Sequence, residues 1–94
     1  MYIAKVIGTV VATRKDENLV GNKLMVTQPL DIDLNPKGEA VVAVDTVGAG
    51  VGELVLNVRG SVGRFATGKM NAPIDAAIVA IIDEIDINRE LTED

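Results

Sequence analysis

Residues 40–47 (Ala-Val-Val-Ala-Val-Asp-Thr-Val) are apolar on both faces of any strand they form, until Asp45 intervenes. A strand of this kind needs cover on two sides. A small open sheet with water against one face does not provide it, so either the sheet closes into a barrel or a second subunit lies on the outer face. Length makes the demand sharper. A chain of 94 residues forms one domain, and a domain of that size buries only about 60 to 65% of the surface of its unfolded chain. Such thin cores are usually secured by disulfides, a metal or a partner subunit. The sequence has no cysteine and no histidine, which removes disulfides, thiolate zinc sites and imidazole ligands together. Partner subunits remain.

The rest of the chain reads as strands. Tyr2 to Thr13 carries apolar or small residues at every even position (Tyr2, Ala4, Val6, Gly8, Val10, Ala12), a period of two. After the polar run Arg14 to Asn18 and the Gly21-Asn22 turn, Lys23 to Leu30 resumes with Leu24, Val26, Gln28 and Leu30 on one face, and Pro29 ends or edges it. Asn35-Pro36-Lys37-Gly38 is turn chemistry leading into the two-sided strand, and Glu53 to Arg59 alternates again. The final segment has two readings, because Pro73-Ile74-Asp75-Ala76 suits a helix start while Ala76 to Ile82 is a continuous apolar run. The β-branched residues in Ile78 to Ile82, and the alternation of Ile85 and Ile87 with Glu84, Asp86 and Asn88, favour a strand. The expectation is an all-β fold of five strands, a small barrel or sandwich, with room for a short helix between Ser61 and Thr67. Residues 1–88 form the β domain, and 89–94 read as a loose acidic, polar tail.

Charge narrows the function. The net charge is -5, but Asp83 to Asp94 holds six acids against Arg89, and the residues before Asp83 carry eight bases and eight acids. The body is neutral and offers no basic stripe for a phosphate backbone, and Tyr2 and Phe65 are the only rings available for base stacking. Nucleic acid is therefore not an expected partner. Lys5 interrupts what would be the apolar core of a signal peptide, and no run of about 18 uncharged apolar residues follows. A soluble cytosolic protein with no membrane partner is expected.

No catalytic set assembles from this inventory. Ser61 is the lone serine and has neither histidine nor cysteine to activate it. Asp31-Ile32-Asp33-Leu34-Asn35 begins like a calcium loop, but Pro36 stands where that loop needs glycine and Val42 where it needs a bidentate glutamate. Gly63 to Met70 follows the phosphate-loop pattern until Met70 replaces the magnesium-binding hydroxyl, and Pro73 soon interrupts the helix that should follow. The most unusual segment is Asp45 to Glu53. Gly48, Gly50 and Gly52 alternate, without the spacing of a dinucleotide fingerprint, and lead into a strand instead of a helix. Such glycines demand positive φ or very close backbone approach, and Asp45 and Glu53 stand where they can accept from exposed backbone donors. An ordinary hairpin loop and a loop shaped for tight contact with a neighbouring subunit both satisfy this pattern. No cofactor or metal is expected.

Taken together, Asp45 to Glu53, Gly60-Ser61 with Arg64, and Pro73 to Asp83 resemble the bacterial microcompartment vertex proteins of the EutN/CcmL family. Met1 to Thr13, Leu19, Gly21 and Lys23-Leu24 are similar to that family as well, so the resemblance spans nearly the whole chain. It implies a five-stranded barrel related to the OB fold, assembled as a homopentamer. The pentamer would sit at five-fold corners of a polyhedral shell in the bacterial cytoplasm, beside hexameric or pseudohexameric facet proteins, and would act structurally, not as an enzyme. It also marks Asp45, Gly48, Gly50, Gly52, Glu53, Gly60, Ser61, Arg64 and Asp75 as the residues of subunit contacts or of a central opening. Val62-Gly63 before Arg64, Leu54 after the loop glutamate and the acidic tail depart from the shared pattern.

Overall fold

Alternation along the first strand becomes the wall of a barrel. A computed structural model, describing residues 1–13, 17–19, 21–60 and 75–92, places β1 at Tyr2–Val10, with Ala4 and Val6 fully buried and Lys5 and Ile7 exposed. The other strands are β2 (Lys23–Pro29), β3 (Val41–Asp45), β4 (Leu54–Arg59) and β5 (Ala76–Ile81). They close in the order β1-β2-β3-β5-β4. Every ladder is antiparallel except β3 with β5, where Val44 pairs with Ala77 and Asp45 with Ile78. Closure answers the demand made by the third strand, because each strand has two neighbours and no edge remains.

The core explains the near absence of rings. Its buried members are Ala4, Val6, Met25, Ala43, Ala49, Val55, Ala76 and Ile78, with Tyr2, Val41 and Ile81 packed against them from the periphery. About eight strands already leave a barrel interior only wide enough for side chains. Five leave less, so alanine and valine dominate. One polar chain runs through this interior. The Asn57 amide donates to Thr27 Oγ1 (3.0 Å) and to the Tyr2 hydroxyl (3.3 Å), and Thr27 donates to the Val41 carbonyl (2.8 Å). Asn57 and Thr27 are fully buried, and these bonds tie β1, β2, β3 and β4 together at one level.

Three details depart from the sequence reading or were left open by it. First, β1 ends at Val10, short of Thr13, and a bulge falls between Val6 and Gly8. The bulge changes the phase of the strand: Gly8 stands opposite Val26 on the outer surface, where a Cβ on Gly8 would lie 3.8 Å from that of Val26. Second, the face of β2 that carries Leu24, Val26 and Gln28 is the outer one, and Met25, Thr27 and Pro29 are buried. Val44 is nonetheless buried on the outside because Leu19 and Leu24 cover it, whereas its neighbour Val42 stays 47% exposed. Third, β5 stops at Ile81, and Ile85 and Ile87 belong to no strand. The reason is the partner. The Ile82 N–H still reaches the Leu54 carbonyl (2.8 Å), but Leu54 begins β4, so nothing beyond it can extend the ladder. Ile85 and Ile87 lie instead on an irregular segment, Ile87 partly buried and Ile85 exposed. The expected helix at Ser61 to Thr67 lies outside the described residues.

Candidate functional site

The glycine-alternating loop is a rigid unit. Asp45 Oδ1 accepts from the N–H groups of Val47 and Gly48, both at 3.0 Å, and Glu53 Oε1 accepts from the Gly50 N–H at 2.6 Å. Lys23 Nζ donates to the Ala49 carbonyl (3.0 Å), and the Ala49 methyl is fully buried in the core. Thr46 donates its hydroxyl to the Ile78 carbonyl (2.6 Å) on the adjacent strand. The far end is pinned to β1, where the Gly52 N–H reaches the Val6 carbonyl (2.8 Å) and the Val6 N–H reaches the Glu53 carbonyl (3.0 Å). Both flanking carboxylates thus serve their own loop, as the sequence pattern anticipated. Lys23 and the Ala49 plug were not legible, since neither carries a local signal.

Glycine is required at two loop positions by the backbone itself. Gly48 has φ 79° and Gly52 φ 94°, in the region that L side chains rarely adopt. Gly52→Ala is expected to lower stability by about 1 to 2 kcal/mol through this strain, read as an earlier urea midpoint with an unchanged slope. Among what the loop offers outward are two valines: Val51 is 62% exposed, and Val47 is exposed as well.

The other expected site residues lie elsewhere. The Gly60 N–H donates to the Asp75 carbonyl (2.9 Å), so these two close the base of the segment between them, with Gly60 at φ 60°. Ser61 and Arg64 lie outside the described residues. β4 runs for six residues between Glu53 and Gly60, which at about 3.3 Å per residue sets the two groups roughly 20 Å apart. Near Asp75 the Arg59 guanidinium stacks 4.3 Å from the Tyr2 ring centre, and Tyr2, Val41, Arg59, Asp75 and Ala76 line a small hollow. In the loop next to β2, Asp31 Oδ1 accepts from the N–H groups of Asp33 (2.9 Å) and Asn35 (3.0 Å), so this carboxylate caps its own turn.

One feature of the surface among the described residues has no motif to announce it. Along the outside of β1 and β4 runs an apolar band. One stretch is lined by Ile7, Leu30, Leu34, Pro36 and Leu54 together with the polar pair Lys5 and Gln28, which stand opposite each other on β1 and β2. The next is lined by Ile3, Leu56, Ala80, Ile81, Ile82 and Ile85, with the acidic Asp83 and Glu84. Apolar side chains left on the wall of a small domain are available for contact with a partner. Among the described residues no group of three or more His, Cys, Asp or Glu side chains comes together as a metal site.

A closed barrel whose loop carboxylates bind its own backbone, and whose wall is apolar, is built to associate. The chain belongs to the EutN/CcmL family: the family model described as "Ethanolamine utilisation protein EutN/carboxysome" matches residues 1–83. It is 52% identical to the bacterial microcompartment shell vertex protein GrpN of Rhodospirillum rubrum, over 92% of this chain and 97% of that one. It is 47% identical to the carboxysome shell vertex protein CcmL of Synechocystis, over 93% and 87% of the two chains. Among solved structures, a carboxysome subunit, CcmL, superposes with a TM-score of 0.89 at 46% identity, covering 95% of this chain and 93% of that one. The GrpN pentameric microcompartment shell protein of Rhodospirillum rubrum gives 0.84 at 48% identity, covering 94% and 100%.

Proposed function

We propose that this protein is the five-fold subunit of a bacterial microcompartment shell, a structural protein that assembles as a homopentamer and occupies the vertices. The observation that carries the reading is the apolar band on β1 and β4, on a chain whose family includes pentameric shell proteins. A ring uses a heterologous interface, in which two different patches of one subunit meet. The barrel offers both: the band on β1 and β4, and on the far side the outer face of β3 with exposed Val42. The need for cover on both sides of that strand is then met by closure within and a neighbour without.

The biological role is geometric. A flat hexagonal lattice closes into a polyhedron only where five-fold units are inserted, so hexameric facet proteins are the partners around the pentamer. The loop from Asp45 to Glu53, held rigid and presenting Val47 and Val51, is suited to subunit contact or to the rim of the central opening. The same role is assigned to Gly60 and Asp75, at the other end of β4, and to Ser61 and Arg64, which lie outside the described residues. Shells of this kind stand in the bacterial cytoplasm, which is where the protein would act. Light scattering coupled to size exclusion tests the proposal: a mass about five times the 9.9 kDa chain is expected, and a monomer at every concentration would overturn it.

A further inference from the structure

The family model stops at residue 83, yet the residues that follow have a defined place in the structure. Beyond Ile82, Ile85 and Ile87 line a shallow cleft with Ile32 and Leu34. Asn88 then caps a short 3₁₀ turn, Arg89–Leu91, by accepting from the Glu90 N–H (3.1 Å). That turn fixes Arg89, whose Nη1 lies 2.7 Å from Asp33 Oδ1. The polar tail is thus anchored, at its start, to the loop that follows β2.

The other side of that loop is where the consequence lies. Leu34 has φ 67°, and among the described residues it is the one non-glycine residue in the left-handed region. Branched and bulky residues pay for this conformation, and it persists only where the surroundings over-determine it. Here the Asp31 N–H bonds the Asn35 carbonyl (2.8 Å), the Leu34 N–H bonds the Asp31 carbonyl (2.9 Å), and Arg89 holds Asp33 from outside. The result is a leucine side chain that is 44% exposed. It lines both the cleft of the C-terminal segment and the apolar band that includes Ile7, Leu30 and Leu54. Within one subunit the arrangement costs more than glycine or asparagine would at this position. Burial of the exposed leucine by an apolar neighbour would offset that cost.

We infer that the C-terminal segment is a clamp, in which Arg89, through Asp33, holds the Leu34 loop in the shape that a second copy of this chain packs against. The inference rests on the pentamer reading, which supplies the partner. Arg89 is a positioning residue and Leu34 the contact.

Dilution of the pentamer, followed by light scattering or mass photometry, measures the effect, with thermal melting of each variant in a Leu56→Glu monomeric background as control. Arg89→Asp is expected to raise the concentration at which the pentamer falls apart by about three- to ten-fold, the range open to an exposed ion pair. The reversed pair, Asp33→Arg with Arg89→Asp, should restore it. Leu34→Gly separates contact from fold, because it relieves the backbone strain: the barrel should melt no earlier, while the pentamer dissociates more readily. Pentamers indifferent to Arg89→Asp and to Leu34→Gly would overturn the clamp and leave the vertex reading standing. A wild-type chain that never assembles would overturn both.

Discussion

Leu56→Glu is expected to convert the pentamer to monomers that keep their barrel. Leu56 sits at the centre of the apolar band, its side chain turned out of the barrel while its neighbours Val55 and Asn57 point in. A glutamate there has no effect on the interior. In the assembled ring it would place an unpaired carboxylate in every interface, and truncating or mismatching a desolvated contact of this kind costs several kcal/mol, on the order of 3 to 5 per site. Five interfaces each carry the penalty, so the equilibrium should move by orders of magnitude. The check has two parts: sedimentation or light scattering should give a mass near that of one chain, and far-ultraviolet circular dichroism should retain its strand signal. Persistence of the pentamer would place the interface away from β1 and β4.

Ile78→Ala should act in the opposite way, on the fold first. Ile78 is fully buried and faces the barrel axis, paired with Asn57 on one side and Asp45 on the other. Its carbonyl also receives Thr46, so the start of the glycine loop hangs from the same residue. Removing a buried isoleucine to alanine costs about 2 to 5 kcal/mol, with the upper end where the cavity cannot collapse. A closed five-strand ladder gives little room for collapse. Domains of this length have only about 5 to 14 kcal/mol to lose, so a large share of the stability should disappear. Urea unfolding is best measured in the Leu56→Glu background, since assembly otherwise adds a concentration-dependent contribution to apparent stability.

The strand positions were legible because period-two alternation survives any arrangement that buries one face. Ala4 and Val6 against Lys5 and Ile7 is enough to place β1. Which face of β2 turns inward was not legible, since Leu24 and Val26 look as apolar as Met25, and only the ladder to β3 settles it. The end of β5 depends on where β4 begins, at Leu54, far along the chain from any local cue an isoleucine pair could give, and so the alternation of Ile85 and Ile87 suggests a strand that they do not join. In the same way, the carboxylates of Asp45 and Glu53 could be matched to the loop glycines between them because they are neighbours in sequence. The band on β1 and β4 could not be seen at all. It gathers Ile3, Leu56 and Ile82 from three separate strands or their ends, and sequence proximity carries no trace of it.

Closure of the ladder has an implication for how such a protein survives crowding. Every strand in the described barrel already has two hydrogen-bonded neighbours, so no strand stands as a free edge for another chain to extend. Association is thereby restricted to side-chain complementarity, which is reversible and sensitive to shape. A subunit that must accumulate locally while a shell is under construction can meet its own kind repeatedly, and a wrong encounter ends in separation instead of templated fibre growth.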